Sequence, residues 1–125
     1  MVADPGTLTV AIRSAAWLSG AALLVAGCGS PPLYHWGHYE ALVYSMYAEP
    51  GKAEPGVQVE KLNRDIAQAE AQGSRVPTGV HLHLAYMYLQ LGNAGAARHH
   101  LEVEKRLYPE STVFVDRLLA KLEAS

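Results

Sequence analysis

From Leu33 to Glu123 the apolar residues recur at three- and four-residue steps, and no stretch alternates with period two. The pattern predicts helices alone. Ser30 offers a cap and Pro31 a first helical position, so a helix is expected from there to about Ala48, with Trp36, Tyr39, Val43 and Tyr47 on one face. Glu49-Pro50-Gly51 ends it. A second helix is expected from about Val57 to Gln72, buried through Val59, Leu62, Ile66 and Ala69, with Glu60 paired to Arg64, Lys61 paired to Asp65, and Gly73 as the stop. Thr78 is placed to cap a third helix, Gly79 to Leu91, which closes at Gly92. Asn93 then caps a fourth, Ala94 to Tyr108, ended by Pro109. Ser111 starts a last helix, apolar at Phe114, Val115, Leu118, Leu119 and Leu122. The expected class is all-α, with about five helices.

The third and fourth helices carry a finer pattern. TGVHLHLAYMYLQLGNAGAARHHLEVEKRLYPE resembles one tetratricopeptide repeat, with Leu84, Ala85, Tyr88, Leu91-Gly92-Asn93, Ala97, Leu101 and Pro109 at the signature spacings. Two positions depart from it: His81 stands where an aromatic residue is expected, and Glu104 where a small one is. The first two helices match the repeat more loosely, at Trp36 and Tyr39, and the last helix would cap the array. The resemblance implies short helical hairpins whose first helices line an inner face.

Composition narrows the partners. Half of the 125 residues are apolar, enough for one core, and 10 basic residues face 12 acidic ones without a run of either sign. Nucleic acid is therefore not expected as a partner. One cysteine supplies neither an internal disulfide nor a metal framework.

That cysteine has a telling position. Ala15 to Gly27 form a 13-residue uncharged run after Arg13, which as a helix spans roughly 20 Å, short of the ~30 Å hydrocarbon core. The run suits the apolar part of a signal peptide. Val25-Ala26-Gly27-Cys28 resembles the lipobox of bacterial lipoproteins, which implies cleavage before Cys28, acylation of its thiol and amine, and a lipid anchor. Gly29 stands where an aspartate would resemble the inner-membrane retention signal, so the resemblance implies the periplasmic face of the outer membrane. The chain then divides into a signal peptide (1–27), a lipidated N-terminus and spacer (28–32), and a helical tetratricopeptide-like domain (33–125).

Candidate chemistry is sparse. His35 and His38 would share a helical face and could offer imidazoles to copper or zinc, an alternative reading of the chain as a metal-binding lipoprotein. The other neighbouring histidines, His81 with His83 and His99 with His100, point in different directions on a helix. No nucleophile elbow, H-E-x-x-H motif or phosphate loop occurs, so no enzyme activity and no cofactor are expected. The aromatic residues are more suggestive. If the hairpins stack, Tyr34, Ala41 and Tyr44 would join Leu82, Tyr86 and Leu89 on an inner face, with Trp36 beside them, and such a face suits a peptide or a partner helix.

The element Leu33-Tyr34-His35-Trp36-Gly37-His38-Tyr39-Glu40, directly after a lipobox and before a helical repeat, resembles a family of small bacterial periplasmic lipoproteins that carry the domain of unknown function number forty-eight-ten. Tyr34, Trp36, Gly37, Tyr39, Tyr44 and the Leu91-Gly92 turn carry the resemblance. It implies an assembly with other envelope lipoproteins, one of them similar to the curli secretion channel, and it assigns no catalytic residue. The function expected is that of a lipid-anchored, non-catalytic adaptor.

Overall fold

The computed structural model describes residues 29–30 and 32–125. The leader, Cys28 and Pro31, and with them the lipobox and the start of the spacer, lie outside the described residues. Among the described residues five α-helices follow one another: α1 (Tyr39–Ala48), α2 (Pro55–Gln72), α3 (Val80–Gln90), α4 (Ala94–Leu107) and α5 (Thr112–Glu123), with 3₁₀ turns at Pro50–Lys52 and Pro109–Ser111. Among the described residues no helix is long and apolar enough to cross a membrane.

The all-α class holds, but α1 begins well after the expected cap at Ser30. Residues 33–35 run extended instead and pair with the strand-like stretch after α2: the Arg75 N–H donates to Leu33 O (3.0 Å) and the His35 N–H to Arg75 O (2.9 Å). Gly37 then turns the chain at φ +50°, a conformation that carries little penalty only in glycine. The first free N–H of the helix, that of His38, donates to Asp65 Oδ2 at 2.6 Å. A residue 27 positions away thus does what Ser30 was expected to do. Asp65 is buried and its other oxygen accepts from His38 Nδ1 (2.9 Å), so the expected Lys61–Asp65 pair does not form, whereas Glu60–Arg64 does, at 3.2 Å.

Helix α3 holds the fold together because it is apolar all round. One flank packs Val80 and Leu84 against Leu42 of α1 and Leu62 of α2, with Tyr39, Val59, Ile66 and Val76 closing over them. The other flank packs Ala85 against Ala97 and Leu101 of α4 and Val115 of α5. Tyr88 touches both clusters. Small residues at 85 and 97 let α3 and α4 pack closely across the three-residue turn Leu91-Gly92-Asn93. There Gly92 takes φ +73° and the Asn93 side chain accepts from Ala96 N–H at 3.0 Å, the cap expected from the sequence.

Thr78 does not cap α3. Its hydroxyl donates to Glu104 Oε1 (3.0 Å), and the same oxygen accepts the N–H of Gly79 (2.7 Å), the residue preceding the helix. Glu104 is fully buried. Its departure from the small residue of the repeat is therefore functional in the fold: a carboxylate from α4 satisfies the N-terminus of α3, where the helix dipole favours negative charge. Ser111 likewise makes no side-chain cap, since the 3₁₀ turn at Pro109–Ser111 leads directly into α5.

Candidate functional site: an apolar groove between α3 and α5

Three of the expected contact residues come together. Leu82, Tyr86 and Leu89 lie one helical turn apart on α3 and form one wall of a groove of about 550 Å³. Leu118 and Leu122 of α5 form the other, Ala85 and Leu101 lie at its base, and Lys121 stands at its edge. Tyr86 and Leu89 are 52% and 40% exposed, figures high for such large side chains in a helix whose other flank is closed. The groove is an apolar trough with a single cation among its lining residues, of a size ordinarily found in ligand and peptide sites.

The remaining expected residues are placed elsewhere. Tyr34 lies in the extended segment rather than on a helix, where its ring meets Trp36 (centroids 6.3 Å) and carries the Arg75 guanidinium 5.5 Å above it. Trp36 stacks on Tyr39 at 6.4 Å. Tyr44 stands 72% exposed on α1, next to Tyr47 at 83%, and neither lines the groove. The inner face expected from two stacked hairpins is thus built from α3 and α5 instead. The sequence pattern had marked Leu118 and Leu122 only as an apolar stripe of the last helix, and nothing local said which neighbour that stripe faces.

The histidines are also rearranged. His35 and His38 precede α1, so the shared helical face expected for them is absent; His38 Nδ1 is engaged by Asp65, and His35 Nε2 is buried without a hydrogen-bond partner among the described residues. His83 Nε2 donates to Oε1 of the buried Gln58 (2.7 Å), whose amide nitrogen in turn donates to Ala53 O (2.9 Å). His81 and His100 meet across α3 and α4, Nδ1 to Nδ1 at 2.9 Å, and the His100 ring stacks on Tyr88 at 5.4 Å. Burial, reinforced by the positive charge of His100, His99 and Arg106, pulls the His81 imidazole from its ordinary 6.5 down to about 4; burial and His99 lower His100 as well. Among the described residues no group of three or more His, Cys, Asp or Glu side chains is placed to hold a metal ion.

No curated protein and no solved structure matches the chain. The family model described as "Domain of unknown function (DUF4810)" matches residues 33–118, from the extended segment before α1 into α5, and takes in the α3 wall of the groove and Leu118, while Lys121 and Leu122 lie beyond it. The chain belongs to the DUF4810 family.

Proposed function

We propose that the protein is a lipid-anchored envelope adaptor that binds a helix of another envelope lipoprotein in the groove between α3 and α5, with no catalytic step of its own. The groove carries this reading. Leucines and a tyrosine on two helices present an apolar trough without a convergent set of polar groups, which suits an amphipathic helix better than a small substrate. Tyr86 adds a large side chain of few rotamers at the rim, the kind of residue that anchors protein interfaces.

Anchoring enters through Cys28. A cysteine acylated on both sulfur and amine would hold the chain essentially permanently, because each buried methylene contributes about 0.8 kcal/mol. The folded domain begins a few residues later, with Leu33 and Trp36 exposed at its start. A protein similar to the curli secretion channel is the partner that the lipoprotein resemblance suggests.

The experiment combines fractionation with crosslinking. Wild type and Cys28→Ala, each with a C-terminal tag, are expressed in the native envelope, separated by flotation and mildly crosslinked. Wild type floats with outer membrane and brings down one or two lipoproteins, while Cys28→Ala is soluble in the periplasm or retained as precursor in the inner membrane. Flotation of Cys28→Ala with the outer membrane refutes the anchor, and recovery of wild type without a partner refutes the adaptor.

A further inference from the structure

A second cleft, of about 500 Å³, lies on a different part of the domain, between α2, the 74–76 stretch and α4. Its ionisable lining is unbalanced. Arg75 and Arg106 both border it, whereas Glu70 is the only carboxylate among the described residues that line it. Neither arginine is in an ion pair among the described residues, all five such pairs lying elsewhere. The His81–His100 pair and the exposed His99 border the same space, so every further protonation there adds positive charge. Ile66, Val76, Val103 and Leu107 supply the apolar part of the lining, beside the uncharged polar Asn63 and Ser74.

Two arginines against one carboxylate in the lining favour an anion, the Arg75 guanidinium being set over the Tyr34 ring, and guanidinium geometry suits the paired oxygens of a phosphate. The apolar wall asks for more than an inorganic ion. We propose that this cleft binds an organic phosphate, with the phosphate group held by Arg75 and Arg106 and its apolar or aromatic body against Ile66, Val76 and Val103. The ionisable groups lining the cleft are Glu70 from α2, Arg75 from the 74–76 stretch, His81 from α3, His99, His100 and Arg106 from α4, and Tyr108 just after α4. A bound anion favours the charged form of the imidazoles that line the cleft, so binding tightens as the medium is acidified. Burial is the main reason His81 and His100 stay neutral; the bound anion offsets the positive neighbours that reinforce it, so both take up protons more readily.

Phenyl phosphate serves as the probe, added to the full-length Cys28→Ser chain in a non-ionic detergent while the imidazole Cε1–H resonances are followed by NMR. Saturable shifts of His99 and His100 below 10 mM are expected, with affinity reduced about tenfold in Arg106→Gln and unchanged in Arg117→Gln, an arginine of α5 outside the cleft. Vesicles of phosphatidylcholine with or without phosphatidic acid identify the source. Displacement of the probe only by phosphatidic acid vesicles makes the natural ligand a lipid headgroup; no displacement makes it a free organic phosphate. Absence of a saturable shift overturns the proposal, as does an equal loss of affinity in Arg106→Gln and Arg117→Gln, which would reduce the effect to overall charge.

Discussion

Replacing Gly37 by alanine tests the turn that starts the folded domain. An alanine Cβ there would lie 2.2 Å from Asp65 Cγ and 2.4 and 2.6 Å from its two oxygens, and the backbone would be held at φ +50°. The left-handed conformation costs a non-glycine residue about 1–2 kcal/mol. The clash displaces the Asp65 carboxylate, which gives up its bond to the His38 N–H; hydrogen bonds to charged groups contribute about 1.5–3 kcal/mol. The bond to the His38 ring adds little, because that side chain is 58% exposed. Gly37→Ala is therefore expected to cost about 3–4 kcal/mol, and Asp65→Ala about 2–3. In the double variant no carboxylate remains to displace, so only the backbone strain is added, and the coupling between the two sites is about 2 kcal/mol. Urea unfolding of all four chains, followed by far-ultraviolet circular dichroism, measures the cycle. Additivity within about 0.5 kcal/mol would refute the close approach of Gly37 to Asp65.

Three further outcomes follow from the same geometry. Because His81 titrates near 6.5 when unfolded and near 4 when folded, the unfolded chain binds the proton first; stability is full above pH 6.5 and declines by about 1.4 kcal/mol per unit as pH falls toward 4. Urea midpoints measured across that range fall accordingly, and His81→Gln flattens the decline; an unchanged slope in the variant contradicts the assignment. Glu104→Ala removes the acceptor of Gly79 N–H and Thr78 Oγ1 and leaves a void in the core, for an expected loss of about 3 kcal/mol, and an effect below 1 kcal/mol by thermal denaturation would show that the N-terminus of α3 needs no such partner. Asn93→Ala is expected to lose about 1 kcal/mol through its cap alone, with Asn93→Asp retaining most of it.

What the sequence made legible was local. The α3–α4 turn could be read from Leu91-Gly92-Asn93 because a left-handed glycine and a side-chain cap are properties of adjacent residues, and Gly73 stopped α2 for the same reason. The start of α1 was not legible, since Ser30-Pro31 is a sound cap signal in isolation and the groups that override it, Asp65 and the Arg75 backbone, lie far along the chain. Glu104 showed itself only as a departure from the repeat; its meaning required knowing that Gly79 lies beneath it. The site divides along the same line. Leu82, Tyr86 and Leu89 could be grouped from helical spacing, but their partners Leu118 and Leu122 depend on how α5 folds back. The His81–His100 contact depends on the register of two helices, and neither residue's immediate neighbours announce it.

The central claim, that the groove is where another envelope protein docks, is tested most directly by a photo-crosslinking residue placed at Tyr86 and, as a control, at Glu110, exposed at the turn before α5 and outside the groove. In intact cells the account predicts a discrete heteromeric adduct from position 86, none from position 110, and loss of the adduct when Leu122 is changed to Glu in the same chain. No adduct at position 86, or the same adduct from both positions, would contradict it.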